Sequence, residues 1–462
     1  MPTISLLKHN KIPILLALTS VAFYLSFGYD LLRTDYVKLV TLYSTLFLLF
    51  YKLVQINKCN IRFLIGLAVL FRLLLLFATP NLSQDFYRFI WDGRMIIEGF
   101  NPFLYAPESF TLNNQFPVAQ AQELYNGMGV LNGSHLSNYA PLNQLFFTIA
   151  GLFAGKSILG SVIIMRILII AADFGTLYFG KKLLDRLSIP VHNIFWYLLN
   201  PFIIIELTGN LHFEGIMIFF LVWSLYLLHT EQWKVAAIVF ACSVSVKLIP
   251  LIFLPLFYQF FVAKNSENNW KMSIRGFGEL VVFYGIVCAI TIITFIPFYN
   301  SELITNYTNT VRLWFQRFEF NASFYYIARE IGYTFRGYNE IAIIGKFIPI
   351  VVISFIMILT FFRKNKSMIE LITAMLFVLS FYYFMSTTVH PWYLATLLIL
   401  SIFTKYKFPL VWSFIIILSY LAYINTDNKE NLWIIGLEYL IVCSFLTWEL
   451  INKKGRPKTA LI

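Results

Sequence analysis

The chain has 462 residues, of which 59% are hydrophobic and 13% charged. That composition excludes an ordinary soluble domain and requires apolar side chains to face lipid. A net charge of +12 would suit nucleic acid, but the Lys and Arg fall in short clusters between apolar runs, the pattern of membrane topology, so no nucleic-acid partner is expected.

The 48 Phe, 27 Tyr and 10 Trp fit aromatic belts at a membrane interface. Cys59, Cys242, Cys288 and Cys443 are scattered, without CxxC or metal-ligand spacing. Lys8 and Lys11 precede the first apolar run, and no A-x-A site follows, so that run is read as an anchor rather than a cleaved signal.

In chain order the expected spans are 12–28, 37–55, 61–79, 158–180, 190–207, 212–229, a 235–263 hairpin, 276–297, 341–362, 368–388, 390–404, 409–424 and 432–451. The fold class is therefore all-α: a polytopic membrane protein of about twelve to fourteen transmembrane helices in one domain, residues 1–462. The clusters Lys52, Lys58, Arg62; Lys181, Lys182, Arg186; Lys264, Lys271, Arg275; Arg363, Lys364, Lys366; Lys405, Lys407; and Lys453, Lys454, Arg456, Lys458 then share one side, read as cytoplasmic, as are both termini. This assignment requires 142–155 to be re-entrant or interfacial. It leaves two long loops on the outer face, 80–135 and 298–340.

The segment SQDFYRFIWDGRMIIEGFNPFLYAP, residues 83–107, breaks the lipid pattern with acids, bases and aromatics together. On a helix, Phe86, Phe89, Ile90 and Gly93 form one stripe, while Asp85, Arg88 and Asp92 line another face, as in an amphipathic helix lying on the membrane. Gly99 and Asn101-Pro102 should end it. Two readings of Asp85 stand: a first-turn carboxylate behind an N-capping Ser83 with Arg88 as local partner, or a general base at the bilayer edge.

Asp173, inside the span 158–180, calls for a partner, and Arg166 lies seven residues earlier on a similar face.

The motifs SQDFYRFIWDGR with GFNPFLYAP, NYAPLNQLFF, LNPFIIIELTGNLHFEG, VKLIPLIFLP and HPWYL occur in that order between about residues 80 and 394. Together they resemble bacterial polyprenol-phosphate-mannose-dependent mannosyltransferases of the GT-C superfamily. The resemblance implies an enzyme moving a hexose, mannose being expected, from a polyprenyl phosphate to an acceptor hydroxyl by inverting displacement at the outer face of a bacterial inner membrane. Asp85 matches the acidic position of the first outer loop. Many relatives carry two adjacent acids there, whereas Gln84 precedes Asp85 here, which puts a two-carboxylate or metal-bridged scheme in doubt. The acceptor class stays open among glycan, lipid and protein. No cofactor or metal site is called, though a divalent metal is not excluded.

Candidates for the donor phosphate are Arg88, Lys247, His390, Arg312 and Arg317, since ionisable groups near membrane depth are costly and functional by default. Lys247 in VKLIP could instead snorkel, and His390 in HPWYL could simply cap a helix. Asp92, Tyr139, His212 and Glu214 are candidate sugar or acceptor contacts, the last two too few for a metal. Arg312, Trp314 and Arg317 suit either an acceptor site or an interfacial helix. A transporter or flippase of lipid-linked sugars is the alternative function, disfavoured because no paired halves are evident.

Overall fold

A computed structural model describes residues 11–262, 273–425 and 429–454, with the side chains of Trp314, Phe315, Lys453 and Lys454 outside that description. Lys8, Lys264, Lys271, Arg456 and Lys458 therefore also fall outside it.

The described residues are helical, without a strand. Numbering α-helices of eight residues or more gives α1 (Lys11–Tyr29), α2 (Tyr36–Ile56), α3 (Ile61–Leu74), α4 (Asp85–Ile97), α5 (Ala121–Gly133), α6 (Pro141–Ala154), α7 (Ile158–Arg186), α8 (Glu214–His229) and α9 (Trp233–Val246). The second part of the chain gives α10 (Ile274–Phe295), α11 (Leu303–Gln316), α12 (Phe324–Arg336), α13 (Ile341–Phe362), α14 (Met368–Met385), α15 (Leu394–Ile402), α16 (Phe408–Ile415) and α17 (Leu432–Lys454).

Among the described residues, α1, α2, α7, α10 with its extension to Phe298, α13, α14 and α17 are long and apolar enough to cross a membrane. An eighth candidate is Pro201–Gly209 followed by α8, a pair bent by 115°. The other expected spans are present as shorter apolar helices or broken segments, such as α9 followed by the 3₁₀ stretch Ile249–Leu256. Pro201, Pro250, Pro255, Pro391 and Pro409 each lack an amide hydrogen and recur at these breaks. Irregular backbone of this kind is tolerated at membrane depth only where protein or a polar cavity surrounds it.

Burial separates inner helices from outer ones. In α14, 67% of the apolar window is buried, against 17% in α10 and 22% in α13, so α10 and α13 present most of their length to lipid. Two buried arginines tie the inner helices together. Arg72 of α3 pairs with Asp173 of α7 at 2.7 Å, both fully buried, and also donates to the Leu198 carbonyl. The expected partner of Asp173, Arg166, instead donates to the carbonyls of Thr208, Gly209 and Leu76. The reason is geometric: the π-helical turn Ile204–Gly209 leaves carbonyls short of helical partners, and a guanidinium with five donors meets them.

α4 does not lie exposed on a membrane surface as its amphipathic pattern suggested. Phe86, Arg88, Phe89, Ile90, Trp91, Asp92, Gly93, Arg94 and Met95 are all buried, because α5 and α6 cover it. Gly93 permits the close packing, since a Cβ there would stand 2.2 Å from the Phe147 carbonyl oxygen of α6. The Phe89 and Phe147 rings stack at 4.6 Å beside it. The helix ends at Ile97, and Gly99 turns the chain with φ +83°.

α6 has 14 residues, about 21 Å at 1.5 Å per residue, short of a hydrocarbon core. It packs on α7 and on α4. Elsewhere, Lys407 N–H meets the Glu449 carboxylate at 2.9 Å, and Gln259 bonds the Thr360 carbonyl and the Asn365 amide.

Candidate active site

The connections 30–35, 81–85, 128–139, 210–213, 318–320 and 386–390 converge on one cavity of about 950 Å³. Asn210 fastens two of them, its side-chain oxygen accepting from the amides of Asn81 and Leu82. Phe320 and Thr388 form an isolated parallel bridge, with Phe320 N–H on the Thr387 carbonyl and Val389 N–H on the Phe320 carbonyl, which sets the position of His390.

Asp85 opens α4, where the positive end of the helix favours a carboxylate. Its amide donates to Ser83 Oγ at 3.3 Å, and Asn132 Nδ2 donates to Asp85 Oδ1 at 3.1 Å. Arg88 is not its local partner. That guanidinium binds Asp92 at 2.7 Å and the carbonyls of Asn132 and His135, so it secures the segment that carries Asn132. Asp85 is half-buried, and burial pushes its carboxyl above the usual range, opposed by the Asn132 hydrogen bond and the nearby Lys247 ammonium. A base so placed is stronger than an aspartate in water.

Lys247 lies where α9 ends in extended backbone before the 3₁₀ stretch. Its ammonium faces the cavity rather than snorkelling, bonded to Glu214 and 5.7 Å from the centre of the Tyr393 ring. Glu214 is the first residue of α8, again a favourable place for a carboxylate. His212, Trp392, His390 and Phe320 form a continuous ring stack, with successive centroids 3.7, 4.6 and 5.1 Å apart. His212 Nε2 is 3.8 Å from Glu206, beyond hydrogen-bond reach. Among the described residues, neither it, Glu214 Oε2 nor His390 Nδ1 has a hydrogen-bond partner, although all three atoms are buried and their residues line the cavity.

Of the residues singled out from sequence, Asp85, Arg88, Tyr139, His212, Glu214, Lys247 and His390 meet at this cavity. Asp92 is fully buried behind it, held by Arg88, Ser137 and Gln144. That leaves it no free face for a sugar. Arg312 and Arg317 are exposed and do not line the cavity, because α11 turns Tyr307 and Val311 toward it instead. The Trp314 side chain lies outside the described residues. Among the described residues, no group of three or more His, Cys, Asp or Glu is placed to hold a metal.

Sequence reasoning missed Arg33, Asn132, Glu319 and Tyr393, which also line the cavity. Arg33 donates to the Leu82 carbonyl at 3.2 Å, with its guanidinium 4.2 Å over the Tyr423 ring. One signal pointed to it: a lone arginine after the first span, on the side away from the basic clusters.

A family model described as alpha-(1->6)-mannopyranosyltransferase, N-terminal domain, matches residues 17–263, more than half of the chain. Compared with curated proteins, the chain gives no match. The matched region contains α4, the bent pair and Lys247, and so most of the cavity's chemical groups. It also answers the choice between enzyme and transporter left by the sequence. The chain belongs to the α-(1→6)-mannopyranosyltransferase family, multi-pass GT-C membrane enzymes that transfer mannose from polyprenyl-phosphate-mannose to an acceptor.

Proposed function

We propose that the cavity is the transfer site and Asp85 its general base. The observation that carries this reading is the convergence of a half-buried carboxylate and a carboxylate-anchored ammonium, Asp85 and Lys247, from different elements on one cavity.

Asp85 takes the proton of an acceptor hydroxyl as its oxygen attacks the anomeric carbon of mannose. The bond from that carbon to the phosphate oxygen breaks, and its electron pair leaves on the polyprenyl phosphate. Lys247 counters the charge growing there, with Arg88 and His390 lining the same cavity as further hydrogen-bond donors, and fixed donors act without reorganisation during the step. The α-(1→6) linkage of the family supports a 6-hydroxyl as the acceptor group, with an α-mannoside as the proposed acceptor. An α product formed by inversion requires a donor sugar β-linked to its phosphate. Tyr139, His212 and Glu214 bring polar groups to the same space, with unbonded buried atoms on His212 and Glu214 suited to sugar hydroxyls.

On this reading the cavity opens to the outer face of the plasma membrane, within the loops 80–135 and 298–340, and both termini are cytoplasmic. The basic residues Lys58, Arg186, Arg363 and Lys407 lie at helix ends or connections outside the cavity lining, which supports that orientation. A lipid phosphate stays in the bilayer while a hydrophilic acceptor arrives from water, so the two meet naturally at such a site.

The test is transfer of radiolabelled mannose from polyprenyl-phosphate-mannose to an α-mannoside acceptor in lipid vesicles, comparing wild type with Asp85→Asn. Loss by a factor of about a hundred or more is expected for a missing general base. Undiminished transfer by a folded Asn variant would remove Asp85 from the mechanism.

A further inference from the structure

Asn321 holds a left-handed backbone, φ +46°, a conformation that is strained for a residue with a Cβ and persists where its surroundings over-determine it. Three side chains from the last part of the chain supply that constraint. The Asn321 amide donates to Glu430 at 2.6 Å, its side-chain amide donates to Glu438 at 3.1 Å, and the Tyr439 hydroxyl donates to its carbonyl at 2.6 Å. Glu430 also accepts from Tyr326, and Glu438 from the Trp412 indole. Glu438 is fully buried on α17, a helix that presents most of its length to lipid. A carboxylate there is costly, which calls for a functional reason.

The residue before Asn321 reaches the cavity. Phe320 donates to the Thr387 carbonyl and accepts from the Val389 amide, and Thr388 Oγ1 donates to the Phe318 carbonyl. Residues 318–320 and 387–389 are thereby zipped together. His390 follows at once, its ring held between Phe320 and Trp392. Because His390 Nδ1 has no hydrogen-bond partner among the described residues, ring packing sets how the imidazole meets the cavity.

We propose that Asn321, gripped by Glu430, Glu438 and Tyr439, is a positioning residue for mannosyl transfer: it seats Phe320 against His390 and so aims the imidazole at the leaving phosphate. The inference rests on the reading of His390 as a donor to that phosphate. It gives α17 a part in the reaction although none of its residues lines the cavity, and although it lies outside the residues that the family model matches. Asn suits the position, because it tolerates left-handed backbone better than most residues and brings an amide that can reach Glu438. The His390 donor matters most as charge grows on the departing phosphate. Misplacing it therefore lowers kcat and leaves KM for the donor near its wild-type value.

The test measures kcat and donor KM with polyprenyl-phosphate-mannose in vesicles, and unfolding temperature alongside. The variants are Glu430→Ala, Glu430→Gln, Tyr439→Phe and His390→Ala, with Glu430→Ala and Tyr439→Phe also combined with His390→Ala. Glu430→Ala should lower kcat about tenfold, the scale of a misplaced catalytic group, with KM unchanged. Glu430→Gln, whose oxygen still accepts the Asn321 amide, should restore kcat to within about twofold of wild type. Tyr439→Phe removes one hydroxyl and keeps the ring, so it carries the test if Glu430→Ala does not fold, with an expected loss of about threefold. In the His390→Ala background neither change should cost more than about twofold further, because the group they position is gone. An unchanged kcat in either folded variant, or losses that multiply fully with that of His390→Ala, overturns the proposal and leaves these contacts a purely structural role. Failure of the underlying reading looks different: His390→Ala alone would transfer at the wild-type rate, and the proposal would fall with it.

Discussion

The first turn and the middle of α4 carry the same residue type seven positions apart and treat it in opposite ways. Asp85, in the first turn, is half-buried at the cavity with one side-chain hydrogen bond, from Asn132. Asp92 is fully buried and accepts from Arg88, Ser137 and Gln144. A carboxylate that is fully satisfied holds structure together, while one left under-satisfied keeps its affinity for a proton. On the proposed role of Asp85 the helix divides into a chemical first turn and an architectural middle, linked because Arg88, paired with Asp92, also holds Asn132 in place.

The comparison breaks most visibly if activity and stability fail to separate. Asp85→Asn should cost transfer about a hundredfold or more in kcat while leaving the unfolding temperature unchanged or slightly higher. The stability sign follows from the raised carboxyl: a folded-state pKa above the unfolded value means stability is lost as pH rises through that range, and removing the charge restores it. For the same reason the acid limb of kcat/KM should sit above the ordinary aspartate range. Asn132→Ala, which removes a hydrogen bond favouring the ionised form, should shift that limb further up.

Lys247→Met comes next, with an expected loss of roughly thirtyfold to a hundredfold, in the range for removing one preorganised donor to a developing anion. Retained activity in a folded Met variant would move the phosphate site away from α9. Asp92→Ala should reverse the pattern of Asp85→Asn. Stability falls by about 3 kcal/mol because a buried guanidinium loses its counter-ion, read as a lower unfolding temperature, while turnover per folded molecule stays within about threefold. A hundredfold loss of turnover at unchanged stability would instead make Asp92 part of the chemistry. Arg312→Ala should be nearly silent in both assays, within about twofold, as expected of an exposed side chain outside the cavity.

What could be read from sequence divides along physical lines. Long apolar helices such as α2, α7, α10 and α13 were legible because lipid demands an uninterrupted run. The end of α4 was legible from Gly99 and Asn101-Pro102, where local stereochemistry decides. The burial of α4 was not, because α5 and α6 together cover it, and periodicity cannot tell lipid headgroups from protein. Pro250 and Pro255 signalled a broken helix after Lys247, but the 3₁₀ form of 249–256 and the π turn at 204–209 were hidden, since apolar runs of that length have no distinguishing period. Asp85, Lys247 and His390 stood out as charges in the wrong solvent. Arg72, the true partner of Asp173, lies 101 residues from it, and no local spacing could have joined them.

Glu214 adds a consequence for turnover. The donor carries its phosphate as a diester with one negative charge, whereas the released lipid is a monoester of about −1.5 to −2. A bare ammonium would grip that product harder than the substrate, and inhibition by the spent carrier would follow. On the proposed role of Lys247 as the phosphate site, its counter-ion at the start of α8 would compete with the monoester and hasten its departure. The ion pair that fixes the ammonium would then also set how readily the used carrier gives way to the next loaded one.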